Sequence, residues 1–368
     1  MKKFLDCISI VGATPSKFHG TKKYISTGAV ATTEIDESEV VEVTYEDRPS
    51  RANLSAEAGD ILFAKMQGTR KTLLLDSETE KNIYSTGFYA VRANPEVITT
   101  ECLYYLIDSE LFLAQKDKNC SGATQKAITN GGMAKIEISV PPLSEQGILV
   151  DKLKHLTQLI ADKKKQLNLF DEIIKSRFIE MFGNEIYPVT PLINLIKEGA
   201  GLSYGIVQPG NDGTGDMGIL RPVDMVDGKI SAASIKYISR DIGDSFKKTE
   251  LTGDELLITV RGTTGITALT DGRFVGMNVT RGIAVIRYDR RKINPIYLKT
   301  YLNTDKSQRY IQEHTRGATL QQINLSDLRI QEIPVPPMTR QEKMAAFVEQ
   351  VDKSKYHGEF TCGMEVAA

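Results

Sequence analysis

Between Pro141-Pro142 and Gly183-Asn184 the chain runs 40 residues with an apolar position every third or fourth step. Leu149, Leu153, Leu156 and Ile160, then Leu167, Phe170, Ile174 and Met181, mark a heptad seam. Lys163 and Arg177 interrupt it. Ser144 is a candidate N-cap, Glu145 complements the helix dipole, and Gly183 suits the C-terminal stop. The pattern predicts one helix over 143–182. At 1.5 Å per residue it is roughly 60 Å long, too long for the core of a small domain. A second pattern of this kind opens at Pro336-Pro337, where Thr339-Arg340-Gln341-Glu342 precedes Phe347, Val348 and Val351. Its register fades near Lys355, which predicts a short second helix over 338–355 and an irregular tail over 356–368.

The two helix starts belong to a longer repeat. Gly122-Ala123-Thr124, Ile128, Pro141-Pro142-Leu143 and Gln146 return 195 residues later as Gly317-Ala318-Thr319, Ile323, Pro336-Pro337-Met338 and Gln341. Gly59-Asp60-Ile61-Leu62 answers Gly253-Asp254-Glu255-Leu256-Leu257 at 194, which places a one-residue indel between them. The period is too long for a solenoid. It predicts a duplicated domain, 1–142 and 183–337, each copy followed by a helix. Within a copy, short apolar runs after Gly-Asp (Ile61–Ala64, Leu256–Thr259) and at Phe88–Val91 and Ile283–Ile286 predict strands. Thr99–Lys116 and Asn294–Arg316 predict helices. The fold class is α+β.

Composition narrows the function. The chain has 368 residues, 41% hydrophobic and 25% charged, with a net charge of −1. No run is long enough to span a membrane, and the N-terminus is too polar after Phe4 for a signal peptide. Four scattered Cys and four isolated His offer neither a disulfide frame nor metal-ligand spacing and predict a cytoplasmic protein. Near-neutral charge means that any nucleic-acid contact must come from locally concentrated donors.

Two loops per copy hold such donors. In the first copy they are Lys65, Gln67, Thr69, Arg70 and Lys71, then Thr124, Gln125 and Lys126. In the second they are Arg261, Thr263 and Thr264, then Arg316, Thr319, Gln321 and Gln322. Arg reads guanine bidentately, and Gln, Lys and Thr serve bases and phosphates. Each loop also has a plainer reading, a tight turn held by packing, and duplication copies scaffold as readily as function. Gly213–Gly218 spells G-x-G-x-x-G but lacks the strand–turn–helix context of a dinucleotide site. Arg48 and Arg51 suit either a local ion pair or phosphate. No methyltransferase, Walker A or nuclease pattern is present, so catalysis is not expected on this chain.

The order of these features resembles the DNA-specificity subunits of type I restriction–modification enzymes. The resemblance rests on the duplication, Arg48-Pro49-Ser50-Arg51-Ala52 before Gly59-Asp60, Tyr204-Gly205-Ile206 with Pro209-Gly210, Gly262-Thr263-Thr264-Gly265, and both Pro-Pro-x-x-x-Gln helix starts. It implies two target-recognition domains, each reading half of a split site in double-stranded DNA. It also implies two helices in an antiparallel coiled coil that set the spacing and dock methyltransferase subunits, and through them restriction subunits. The short second helix departs from that pattern. S-adenosylmethionine, ATP and Mg2+ are then expected on those partner chains, with none bound here. An assembly adaptor with duplicated protein-binding domains is the alternative. A stand-alone nuclease or methyltransferase lacks its motifs. A second helix ending at Lys355 would lie opposite roughly residue 165, pairing Leu167 to Met181 and leaving Leu149, Leu153, Leu156 and Ile160 uncovered.

Overall fold

The computed structural model describes residues 1–123, 125–208, 210, 215–226, 228–233, 235–317 and 320–365, with side chains of the last helix described to Lys355. The chain divides into two compact units, 1–162 and 163–368. Each mixes short strands with helices. No helix among the described residues is long and apolar enough to cross a membrane.

The first unit is built on a four-stranded antiparallel sheet in the order Ile8–Val11, Phe88–Ala93, Ile61–Ala64, Thr72–Leu74. All four residues of Ile61–Ala64 are buried. That explains why this strand reads as a continuous apolar run and not as an alternation. A second sheet orders Val41–Val43, Lys22–Ile25, Ile83–Ser85 and Ala52–Leu54, with Lys22–Ile25 parallel to Ile83–Ser85. In the second unit the same antiparallel sheet recurs as Ser203–Tyr204, Ile283–Ile286, Leu256–Thr259, Thr267–Leu269.

The duplication keeps a single register, without the expected indel. Asp60 accepts from the Glu57 amide (2.9 Å) and Arg92 Nε (2.6 Å), and its carbonyl takes the Leu75 amide. Glu255 accepts from the Thr252 amide (2.8 Å), lies 3.5 Å from Arg287 Nε, and its carbonyl takes the Thr270 amide. Every one of these positions is shifted by 195. Buried Asp60 therefore corresponds to buried Glu255. The Gly-Asp match one residue off is a coincidence of turn residues. What is retained is a buried carboxylate that caps backbone amides and meets an arginine.

Each expected helix after the sheet is two helices. Thr100–Ile107 gives way to Glu110–Lys118, and Pro295–Leu302 to Asp305–His314. The breaks fall where Ser109 and Thr304 cap a new N-terminus, their hydroxyls accepting from the Phe112 and Ser307 amides. A propensity reading runs straight through such a cap.

The long helix spans Leu143–Phe182. Ser144 lies inside its first turn and is not its N-cap. Its foot is fixed by Gln146, which is buried. Gln146 accepts from the Thr99 amide (2.7 Å) and donates to the Val97 and Pro141 carbonyls (3.0 Å each). Gln341 repeats this, accepting from the Asn294 amide and donating to the Pro336 carbonyl. Val150, absent from the expected seam, is buried in the first core, and Leu153 on that face is half-buried. Leu149, Leu156 and Ile160 are exposed.

In the second unit Phe178 and Phe182 enter the core against Tyr297, at ring-centroid distances of 5.7 and 5.2 Å. Ile174 and Met181 pack beside them, and Leu167 and Phe170 are half-buried. The second helix runs Met338–Glu365, so residues 356–365 are helical and not an irregular tail. The scattered Gly358 and Gly363 weaken the heptad signal without ending the helix. Its contacts run antiparallel to residues 171–185. Arg340 meets Glu185 and the Met181 carbonyl, Phe347 lies under Arg177 (5.6 Å), and Lys355 pairs with Asp171. Lys355 thus lies opposite Asp171, six residues beyond the expected position. Val348 and Val351 are buried and Phe347 is partly so.

Two stability predictions follow from these anchors. Gln146→Ala strips partners from three partly buried backbone groups and should destabilise the first unit by about 3 kcal/mol, read as a lower calorimetric transition for that unit alone. Burial opposes ionisation of Glu255, but bonds from Thr252 and Thr270 and the Arg287 charge outweigh it and hold its carboxyl below the ordinary value. The folded pKa is depressed, so this stabilisation is present above the unfolded value of about 4.3 and is lost as pH falls through the folded value. Glu255→Gln should flatten the acid limb of the second unit's melting temperature.

Candidate nucleic-acid interface

In each unit the two donor loops meet, and they meet at the same backbone positions. Met66 bridges Ala127 in the first and Arg261 bridges Gln322 in the second, a shift of 195 on both sides. The Gln67 amide donates to the Lys126 carbonyl (3.0 Å) and the Gly262 amide to the Gln321 carbonyl (2.9 Å). The Ile128 amide donates to the Lys65 carbonyl, as the Ile323 amide does to the Val260 carbonyl. Glycine is required in the adjoining turn. Gly122 has φ +135° and Gly317 φ +108°, and a Cβ would sit 2.5 Å from the Gln125 carbonyl oxygen or 2.3 Å from that of Leu320. The Gly-Ala-Thr signature therefore has a scaffold role at its glycine. Thr124 and Thr319, and Gly213-Thr214 of the G-x-G-x-x-G string, lie outside the described residues.

On this common frame the side chains differ. Lys65 Nζ donates to the Thr86 carbonyl (2.9 Å) and sits 4.3 Å from the Tyr89 ring centre, and burial lowers its pKa. Lys71 Nζ is held by the Thr27 carbonyl at 2.6 Å. Arg70 grips both Asp108 oxygens (3.1 and 2.8 Å) and Glu110 (2.9 Å). The Asp108 bonds and the charges of both acids raise its pKa. A guanidinium already neutralised by two carboxylates is a weak phosphate contact. Thr69 is half-buried, while Gln67, Gln125 and Lys126 are exposed.

The position of Arg70 is taken by Gly265 in the second unit, and Met66 gives way to Arg261. Among the described residues Arg261 has no carboxylate partner, and its Nε is buried without a hydrogen bond. Thr263 and Gln321 are exposed and Gln322 is half-buried. Thr264 is buried. Its hydroxyl lies 3.0 Å from that of Thr315, which donates to the Ile311 carbonyl, so Thr264 is the donor in the pair and is structural. Arg316 is exposed, with Asp327 3.8 Å away.

Elsewhere, Arg48 donates to the Tyr45 carbonyl and stacks 4.0 Å over that ring, with no ion pair to the acids nearby. Arg290 and Arg291 are occupied by Asp254 and Asp289. Among the described residues no group of three His, Cys, Asp or Glu could hold a metal.

Sequence reasoning missed the groups that occupy these donors. Asp108 and Glu110 sit near 40 residues from Arg70 in sequence. Lys116, only 2% exposed, hides in the Glu110–Lys118 helix and donates to three loop carbonyls. Burial lowers its pKa, with Asp117 opposing. A charged residue in the interior-facing register of a helix was the available signal.

Comparison with known proteins agrees with the duplicated frame. The type I restriction modification DNA specificity domain matches twice, at residues 10–169 and 213–357. The type I restriction enzyme EcoBI specificity subunit of Escherichia coli is 24% identical over 268 residues, covering 65% of this chain and 56% of that one. The putative MjaX specificity subunit of Methanocaldococcus jannaschii is 22% identical over 318 residues, 80% of this chain and 72% of the relative. This chain therefore spans little more than half the length of the Escherichia coli relative. Among solved structures, the HsdS subunit from Thermoanaerobacter tengcongensis is 18% identical with a TM-score of 0.40, covering 97% of this chain and 89% of that one. The type I S subunit from M. genitalium is 12% identical with a TM-score of 0.46, covering 100% and 92%. Because the family's domain matches both copies and most of the residues, the chain belongs to the type I restriction–modification DNA-specificity family.

Proposed function

We propose that this chain is a non-catalytic DNA-recognition subunit of a type I restriction–modification system. Each unit reads one half of a bipartite target in double-stranded DNA. The observation that carries the reading is the pair of bridged loops, identical in backbone register and different in side-chain donors. A conserved frame with exchanged donors is what two dissimilar half-sites require. Relatives named as specificity subunits support it.

In this reading the long helix fixes the unread spacing, and its partner helix forms with it an antiparallel coiled coil. Exposed Leu149, Leu156 and Ile160 form the surface that receives a methyltransferase subunit. Catalysis, and with it S-adenosylmethionine, ATP and Mg2+, belongs to partner chains. A near-neutral chain with Arg70 already neutralised favours one competitor, an assembly adaptor that binds protein alone.

Duplex binding decides between the two. With its methyltransferase partner, the chain should bind duplex DNA with an affinity that falls steeply with salt. Absence of a salt-dependent shift of duplex DNA would favour the adaptor. Arg261→Ala should cost about 1–3 kcal/mol and relax one base position. Arg70→Ala should cost less, since its charge is already compensated. Mapping of modified bases should return two short motifs with a fixed gap, and a contiguous motif would overturn the reading. Leu156→Asp with Ile160→Asp should abolish co-purification of the methyltransferase while leaving the melting temperature unchanged.

A further inference from the structure

We propose that Lys116 and Asp117 are a positioning pair that sets the conformation of the Lys65–Lys71 loop and so the bases read by the first unit; this rests on the DNA-recognition reading above. Lys116 Nζ donates to the carbonyls of Ala64 (3.3 Å), Met66 (2.9 Å) and Thr69 (2.6 Å). An ammonium has three N–H groups, and all three are used. Asp117 Oδ2 accepts from the Gly68 amide (2.9 Å), and its carbonyl oxygen from Gln67 Nε2 (3.3 Å). Its Oδ1 lies 3.6 Å from Lys116 Nζ. Together the two residues contact the loop at Met66, Gln67, Gly68 and Thr69, and the end of the preceding strand at Ala64.

Packing alone does not call for a lysine at this place. The corresponding residue of the second copy is Ile311, fully buried, followed by Gln312. There the turn closes from within. Thr259, the counterpart of Ala64, donates its hydroxyl to the Thr263 carbonyl (2.6 Å) and accepts from the Ile266 amide (2.9 Å). The first copy has Ala64 where the second has that hydroxyl, and a buried ammonium where the second has Ile311. Burying a charge is unfavourable unless its hydrogen bonds are complete. The second copy shows that the fold closes this loop without one. What the lysine adds is a different way of holding the loop on the same frame, from behind and through its backbone carbonyls.

The test uses the full chain. K116M keeps the aliphatic stem and removes the donors. Hydrogen exchange of the purified protein should quicken across residues 65–71 by about tenfold or more, since three bonds from an ammonium are lost and one ordinary hydrogen bond already approaches that factor, with residues 256–266 unchanged. In complex with the methyltransferase, K116M should blur one half of the modified motif and leave the other half as in the wild type. Unchanged exchange at 65–71, an unaltered motif, or equal loss in both halves would each overturn the proposal. If K116M does not fold, D117N, which weakens the Gly68 anchor and removes the charge beside Lys116, is read by the same two measurements. A wild-type complex that modifies no bipartite motif would sink the DNA reading and the base-reading half of this proposal. The exchange result would still decide whether the pair orders the loop.

Discussion

A glutamine carboxamide buried at the foot of each long helix is the constraint on which the rest depends. Gln146 satisfies one amide and two carbonyls where the chain turns from the domain into the helix, and Gln341 satisfies one amide and one carbonyl 195 residues on. Backbone groups buried at such a junction have no water to turn to, and leaving them unpaired costs more than the bonds gain. The side chain therefore fixes the angle at which helix and domain join. A helix can serve as a measure of spacing only if that joint is stiff. The Pro-Pro before each glutamine adds to this by removing two amide donors and restricting φ.

The two copies separate what is shared from what is private. The shared layer is backbone and buried charge: the bridged loops, the positive-φ glycines, the carboxylate at 60 and 255. The private layer is a few side chains on that frame. Arg70 is compensated by two acids where the second copy has glycine, and Arg261 stands without a carboxylate among the described residues where the first has methionine. Net charge says little about such a surface. Local compensation decides which cations remain available to an anion, and here it ranks Arg261 above Arg70.

Much of the frame was legible in the sequence. Heptad spacing located the long helix, and repeated turn residues located the duplication, because both signals are local or periodic. The failures were not local. The Gly-Asp identity suggested an indel because turn residues recur cheaply, while the conserved buried carboxylate changed from Asp to Glu. Val150, Phe178 and Phe182 were passed over for seam positions because a helix that leaves one core and enters another changes its buried face along its length. Lys65, Arg70 and Lys71 read as free donors because their partners lie 21 to 44 residues away in sequence. The second helix continued past Lys355 because a heptad signal can fade before helicity does.

The same reasoning explains why an apolar stripe survives on the first half of the long helix. Along residues 171–182 the seam meets the second helix and the second core. Along 149–160 the first core takes only the face of Gln146, Val150 and Leu153, leaving Leu149, Leu156 and Ile160 in water. Single exposed leucines are ordinary on a protein surface. Three at heptad spacing on one face, continuous with a seam that is paired further along, form an unfinished interface. A helix polar enough for solvent would need none of them there, which is why the proposed methyltransferase contact is placed on this face.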